Sequence, residues 1–196
     1  MAFRPVSSST FRRLRCALPL VIVCSFAGAV DFSLTDAEGI THTAAELSRY
    51  KATVFVFVAT DCPNSNTYAP VLARLYHEYS PRGVAFFNVY SDPAENASTV
   101  SRHEADFQTP FRALLDPHQA LARETGARST PEVVILGPEG RQLYRGRIDN
   151  RFIELGKARY QPTQSDLQEA ILAILQGRAV PHPVTRTIGC AIPGMN

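Results

Sequence analysis

The stretch TVFVFVATDCPNSNTYAP, residues 53–70, decides the fold of this chain. Residues 53–58 are all β-branched or aromatic, a composition typical of a strand that is buried on both faces of a sheet. Beyond them, apolar side chains recur at the spacing of a helix packed on one side: Tyr68, Val71, Leu72, Leu75, Tyr76 and Tyr79. Cys62 is therefore predicted to lie where a buried strand passes into the N-terminus of a helix.

This position favours a reactive sulfur at Cys62. The N-terminus of a helix presents free backbone N–H groups and the positive end of the helix dipole, and both stabilise a thiolate relative to a thiol. The thiolate is the form of cysteine that acts as a nucleophile. We therefore predict that Cys62 is a catalytic nucleophile.

The first 29 residues have the three parts of a secretory signal peptide. Four arginines precede an apolar stretch at residues 17–26, and the small residues 27–29 follow as a cleavage site. The apolar stretch is short for a membrane span, which needs about 20 residues. We expect cleavage after Ala29 and a secreted or periplasmic protein that is not held in a membrane.

Removal of this segment changes the charge and the cysteine content of the chain. The full chain has 20 Lys and Arg against 18 Asp and Glu, but the segment holds four arginines and no acid, so the mature chain is near −2. The charge is therefore no indication of nucleic-acid binding. Cys16 and Cys24 leave as well, so the mature chain keeps Cys62 and Cys190 in a compartment that permits disulfides.

Strand and helix patterns alternate along residues 30–177, which we interpret as one α/β domain. The predicted strands cover residues 31–34, 40–42, 53–59, 84–90, 111–115, 132–136 and 142–145. The predicted helices cover residues 44–50, 64–79, 92–107, 119–125 and 166–176. The expected N-caps are Asp92, Asp116 and Ser165, the last in a capping box with Gln168. Residues 178–196, which include Cys190, have no periodic pattern and are predicted to form a C-terminal tail.

Four short motifs in this order resemble the thioredoxin superfamily, specifically the secreted bacterial redoxins related to alkyl hydroperoxide reductase and thiol-specific antioxidant proteins. The motifs are TDCPNSN at 60–66, STPEV at 129–133, YRGRID at 144–149 and GCAI at 189–192. The resemblance implies a thioredoxin-like three-layer α/β fold, with a central mixed sheet flanked by helices, an N-terminal hairpin and the C-terminal tail.

The same resemblance implies roles for residues around the reactive cysteine. Pro131 corresponds to a cis-proline whose loop faces the cysteine, which leaves the backbone of Thr130 to hydrogen-bond an extended thiol or disulfide partner. Ser65 stands where a thioredoxin has its second cysteine, so no Cys-x-x-Cys disulfide forms, and its hydroxyl is a candidate donor to the thiolate. Asp61 and Asn66 complete the predicted substrate-facing residues, and the Asp61 carboxylate either opposes ionisation of the thiol or accepts its proton.

Cys190 is the predicted partner of Cys62, because a reactive thiol that has formed a mixed disulfide or a sulfenic acid must be resolved by a second thiol. Cys190 is the other cysteine of the mature chain, and its Pro- and Gly-containing tail is able to fold back across the domain. The alternative is a permanent disulfide that pins the tail, which would stabilise the fold by about 4 kcal/mol in the chain-entropy model.

Three other functions stay open. A peroxiredoxin-like peroxidase typically carries Thr or Ser three residues before its reactive cysteine and Pro seven before, where this chain has Ala59 and Phe55. In a non-catalytic binding module, the disulfide would be purely structural. A copper-delivery protein would bind the metal through Cys62, Cys190 and His182. The preferred prediction is a thiol-disulfide oxidoreductase without metal or cofactor, which acts on a protein or small molecule that carries a thiol or a disulfide.

Overall fold

The computed structural model describes Met1 and residues 28–195, so nearly all of the predicted signal peptide lies outside the described residues and cleavage after Ala29 stays a prediction. The strands are β1 (Ser33–Asp36), β2 (Thr41–Thr43), β3 (Ala52–Val58), β4 (Val84–Tyr90), β5 (Arg112–Leu115), β6 (Ser129–Thr130), β7 (Glu132–Leu136), β8 (Gln142–Gly146), β9 (Phe152–Glu154), β10 (Lys157–Ala158) and β11 (Cys190–Ala191). The helices are α1 (Pro63–Tyr79), α2 (Ala97–Asp106), α3 (Ala120–Thr125) and α4 (Asp166–Leu175), with short 3-10 helices at Ala44–Arg49 and Ser80–Arg82. Within residues 28–195, no helix combines the length and the apolar character that a membrane span requires.

Seven strands of the described residues form one mixed sheet in the order β2-β1-β5-β4-β3-β7-β8. β3 is parallel to β4, because α1 crosses over between them, and it is antiparallel to β7 on its other side. The predicted N-terminal hairpin is present as β1 and β2. The prediction of a central mixed sheet is confirmed, and the parallel pair brings the carboxyl ends of β3 and β4 to the same edge.

Alternate residues of β3 point to opposite faces of the sheet, and all seven are buried. Val54, Val56 and Val58 pack with α1 and α4 in one hydrophobic core. Phe55 and Phe57 pack in a second core with β1, α3 and the end of the tail. The sheet is therefore the middle of three layers, as predicted.

Helix α2 begins at Ala97, later than the predicted start at Asp92. Its N-cap is Asn96, whose side chain accepts two N–H groups of the first turn. The side chain of Asp92 instead accepts the N–H of Ala94 at 2.8 Å in a turn. The prediction of a helix from Asp92 is wrong because an Asp-Pro pair begins turns as well as helices.

Helix α3 also begins slightly later than predicted, at Ala120. Gln119 has a left-handed backbone with φ 56° and precedes the helix. The predicted cap, Asp116, nevertheless accepts the N–H of Ala120 at 2.7 Å. The N-cap position is therefore Gln119 and not the predicted Asp116, but the Asp116 carboxylate still serves the N–H groups of the first turn.

The predicted N-cap residue of α4, Ser165, is confirmed, but the predicted capping box is wrong. The helix begins at Asp166, and the side chain of Ser165 caps no N–H group. Gln168 donates to the hydroxyl of Tyr79 at 3.0 Å, because α4 packs against α1 and the Gln168 side chain is engaged there.

Candidate active site

Cys62 is the N-cap residue of α1 and follows the carboxyl end of β3. Its backbone is extended, with φ −88° and ψ 106°, and its carbonyl accepts the N–H of Asn66 at 3.1 Å. Pro63 occupies the first helical position, where a missing N–H costs no hydrogen bond. The predicted junction of strand and helix is confirmed, and Cys62 is buried there with 0% of its surface exposed.

The loop that faces Cys62 carries a cis peptide bond between Thr130 and Pro131. Strand β6 ends at Thr130, directly before the proline. As a thiol, Cys62 donates to the carbonyl oxygen of Thr130 at 3.1 Å. The structure thus brings the loop that was predicted to face substrate against the predicted nucleophile.

Cys190, in the C-terminal tail, lies next to Cys62 although the two residues are far apart in the chain. β11 runs antiparallel to β6, with Cys190 opposite Thr130. The sulfur atoms of Cys62 and Cys190 lie 2.9 Å apart, and both cysteines are free thiols. The tail was predicted to be without regular structure, but it contains a short strand, because β6 offers a pairing edge that the local sequence does not indicate.

The two thiols differ in acidity. Burial raises the pKa of Cys62, but hydrogen bonds that Cys190, Ser65 and Thr130 donate once the sulfur is ionised outweigh burial and bring the pKa down to about 7. Burial and the neighbouring Cys62 raise the pKa of Cys190 to about 11. At neutral pH a large fraction of Cys62 is therefore the nucleophilic thiolate, while Cys190 keeps its proton.

Two buried hydroxyls explain how a thiolate is stabilised out of contact with water. The hydroxyl oxygens of Ser65 and Thr130 have no hydrogen-bond partner within residues 28–195. A buried hydroxyl without a partner costs free energy, and an ionised Cys62 offers an acceptor to both. The Ser65 and Thr130 hydroxyls are thus available to donate hydrogen bonds to the thiolate form of Cys62.

Asp61 and Asn66 lie beside the site but outside the contact between the sulfur atoms. Asp61 is exposed, and its charge adds to the rise in the pKa of Cys190, after the larger effects of burial and of the other thiol. Asn66 accepts the Nε2–H of His103 at 2.8 Å. Its amide also donates to the backbone of the loop before Cys62 at 3.4 Å. Asn66 therefore supports the loop, and its role toward substrate stays a prediction.

Glu95 is a half-buried acid beside the loop that leads to Cys62, and the sequence patterns do not indicate it. Its carboxylate accepts the N–H of Thr60 at 2.7 Å, in the loop that leads to Cys62. Burial raises the pKa of Glu95, and its second oxygen has no hydrogen-bond partner within the described residues. The signal that points to it is topological: β3 and β4 are parallel, so the loops after them meet at one edge of the sheet.

Alkylation of Cys62 should follow a pKa of about 7 rather than the ordinary thiol value near 8.5. Because only the thiolate reacts, the rate should rise as the pH increases through about 7 and level off above it. Cys190→Ala removes a donor to the sulfur and should move the midpoint to higher pH. Iodoacetamide labelling, resolved at Cys62 by peptide mass mapping, measures both profiles, and identical midpoints would contradict the role of Cys190 as a donor.

Fold and site together define a class of protein. A three-layer α/β domain with a cysteine at the N-terminus of α1 and a cis-proline loop against it is a redoxin of the thioredoxin superfamily, and the chain is an oxidoreductase. The AhpC/TSA family profile matches residues 27–143, and the chain belongs to this family. The match ends within β8, so Cys190 and the tail lie outside it.

The chain is similar to proteins of known sequence and structure. It is 27% identical over 128 residues to the thiol-disulfide oxidoreductase ResA of Halalkalibacterium halodurans, an alignment that covers 64% of this chain and 71% of that protein. A hypothetical protein from Sinorhizobium meliloti 1021 has a solved structure that aligns with a TM-score of 0.74 at 30% identity, over 84% of this chain and 91% of that chain. A putative thiol:disulfide interchange protein DsbE from Chlorobium tepidum shares the fold, with a TM-score of 0.60 at 19% identity, over 75% of this chain and 94% of that chain.

Proposed function

We propose that the chain is a thiol-disulfide oxidoreductase in which Cys62 is the nucleophile and Cys190 is the resolving thiol. The observation that carries the proposal is the 2.9 Å separation of the two sulfur atoms, at a point where one thiol is acidic and the other is not. The similarity to a relative named as a thiol-disulfide oxidoreductase supports the reaction class.

The proposed reaction is two successive thiol-disulfide exchanges. The thiolate of Cys62 attacks one sulfur of a substrate disulfide, a bond forms between them, and the other substrate sulfur leaves as a thiolate. Cys190 then gives up its proton and attacks the Cys62 sulfur, so the Cys62–Cys190 disulfide forms and the first substrate sulfur leaves. The substrate gains two electrons, the two cysteines lose them, and the proton of Cys190 passes to a released thiolate.

The alternatives have less support among the described residues. Within residues 28–195, no cluster of three or more His, Cys, Asp or Glu side chains is placed to hold a metal ion, so no such geometry favours copper delivery. A permanent structural disulfide and a redox-active pair would both hold Cys62 near Cys190. They differ in the reactivity of the two cysteines. The low pKa of Cys62 favours the redox pair, because a purely structural cysteine needs no stabilised thiolate.

Cys190→Ser should trap the mixed disulfide on Cys62. A serine hydroxyl does not attack the mixed disulfide, so the adduct should accumulate to about tenfold or more above its level in the wild-type protein. Oxidised glutathione is the probe, and non-reducing peptide mapping identifies the adduct. The wild-type protein is the control and should yield the Cys62–Cys190 disulfide instead, whereas an equally short-lived adduct in the variant would contradict the role of Cys190.

We also propose that the protein acts outside the cytoplasm after removal of residues 1–29. The order of basic, apolar and small residues at the N-terminus supports export, and a compartment that permits disulfides suits the proposed chemistry. Protein recovered from its host should begin at Val30, and retention of the residues before it would contradict the cleavage.

A further inference from the structure

The tail occupies the edge of β6, the strand that precedes the cis-proline. β11 pairs with β6 so that Cys190 lies opposite Thr130. The contact continues to Ile192, whose N–H donates to the carbonyl of Arg128 at 2.9 Å. The backbone groups with which β6 would bind an extended polypeptide are therefore occupied by this chain itself.

Gly189 shows how closely the tail approaches β6. A Cβ at this position would lie 2.0 Å from the carbonyl oxygen of Thr130 and 2.7 Å from its carbonyl carbon. Both are backbone atoms, which do not move aside as the end of a flexible side chain does. A residue larger than glycine before Cys190 is therefore incompatible with this docking.

Several contacts hold the last part of the tail against the domain. Ile192 is 1% exposed and packs in the same core as Met195, on the face of the sheet that α3 covers. Arg128 donates to the carbonyl of Met195 at 3.0 Å. Asn64, in the first turn of α1, donates to the carbonyl of Ile188 at 3.3 Å. The end of the chain is thus a docked strand rather than a loose terminus.

The docked tail keeps substrate away from Cys62. The nucleophile has 0% of its surface exposed, and Cys190 on β11 is in contact with its sulfur. A disulfide in another molecule has no path to a sulfur that solvent does not reach. The structure therefore describes a state in which the two thiols are in contact and the first exchange is blocked.

We propose that the tail is a displaceable strand that occupies the substrate position on β6 and closes the active site until a substrate strand replaces it. This proposal rests on the proposed function. In the released state, an extended, cysteine-bearing polypeptide segment pairs with β6 and presents its sulfur to Cys62. In the docked state, Cys190 returns and resolves the mixed disulfide. The substrate class is therefore a protein with an accessible extended segment around its cysteine.

A second attachment keeps the released tail close to the site. The N–H of Arg145 donates to the carbonyl of Pro183 at 2.9 Å, and the N–H of Thr185 donates to the carbonyl of Arg145 at 3.0 Å. The Thr185 hydroxyl is also hydrogen-bonded to the hydroxyl of Tyr144 at 2.8 Å. Cys190 follows Thr185 at a distance of about 17 Å or less even in a fully extended chain. Its effective concentration near the site therefore stays high while the strand is released.

The rate at which iodoacetamide labels Cys62 in the full chain tests the proposal. Gly189→Ala should undock the tail and raise the rate about tenfold or more, because access to Cys62 then no longer waits for a local opening. Ile192→Ala removes the buried anchor instead and should act in the same direction. Labelling at a pH above the ordinary pKa of a thiol keeps Cys62 ionised in every variant. Peptide mass mapping measures the label on Cys62 alone.

Gly137→Ala is the matched control for the glycine substitution. The added Cβ lies in the turn between β7 and β8, where its closest neighbour is the end of the Leu143 side chain at 3.3 Å. Its labelling rate should equal that of the wild-type protein. Circular dichroism establishes that the variants are folded. If either Gly189→Ala or Ile192→Ala does not fold, the labelling rate of the other variant tests the proposal. Labelling of a folded tail variant at the wild-type rate, whether fast or slow, would overturn the proposal.

The two experiments distinguish a failure of the displaceable tail from a failure of the proposed function. Faster labelling of Gly189→Ala without an adduct in Cys190→Ser would support the displaceable tail and reject the proposed function. An adduct in Cys190→Ser with unchanged labelling of Gly189→Ala would support the proposed function and reject the displaceable tail.

Discussion

Cys62→Ser should abolish disulfide exchange, with a loss of about a thousandfold or more in the second-order rate constant. A serine hydroxyl is not ionised at neutral pH, whereas the pKa of about 7 makes much of Cys62 a thiolate. The substitution should leave the fold intact, because serine is a preferred N-cap residue and position 62 is the N-cap of α1. Single-turnover reduction of a disulfide-bonded peptide measures the loss.

The same assay separates disulfide exchange from peroxidase chemistry. The wild-type protein should reduce the peptide faster than it consumes hydrogen peroxide, because Ala59 and Phe55 stand where peroxidases of this superfamily typically carry Thr or Ser and Pro. Cys190→Ser is the control, since it should keep the first exchange and lose the second. A rate in Cys62→Ser within about tenfold of the wild-type rate would contradict its role as the nucleophile.

Phe55→Ala should lower the free energy of unfolding by about 3–5 kcal/mol. Phe55 is completely buried in β3, and its ring packs edge-on against Phe32 at 5.3 Å and stacked on Phe87 at 5.8 Å between centroids. Truncation leaves a cavity that the strands on both sides of β3 keep from collapsing. Urea unfolding of the reduced protein, analysed by linear extrapolation, measures the change.

Leu155→Ala is the control for this substitution, because the Leu155 side chain lies between β9 and β10 and is 64% exposed. Its truncation should change the free energy of unfolding by no more than about 0.5 kcal/mol. A cost for Phe55→Ala as small as that of the control would contradict the position of β3 at the centre of the sheet.

The centre of the fold could be predicted from residues 53–79 because its signals are local. An unbroken run of β-branched and aromatic residues is typical of a strand buried on both faces, and apolar residues at helical spacing indicate a helix packed on one side. β3 and α1 are present with boundaries that differ from the predicted ones by one residue. The position of Cys62 between them follows from the same pattern.

Helix starts were predicted less well where two local signals compete or where packing intervenes. Both Asp92 and Asn96 are suitable caps, and the backbone forms a turn at the first and a helix at the second. Gln168 fits a capping box by its spacing, but it bonds to Tyr79 on a neighbouring helix. The energy of a single cap is about 1 kcal/mol, small enough for tertiary contacts to override it.

By itself, the sequence predicted which groups would carry the chemistry: a cysteine at a helix N-terminus, a proline loop and one further thiol in the tail. Only the tertiary structure decided that β11 pairs with β6, that the two sulfur atoms lie 2.9 Å apart, and that Glu95 lies against the loop before Cys62. A two-residue strand has no periodic signal of its own, and its register depends on a partner far away in the chain. The distance between the two sulfur atoms and the burial and accessibility of Cys62 depend on how such segments pack against each other. They are therefore defined only in the folded chain.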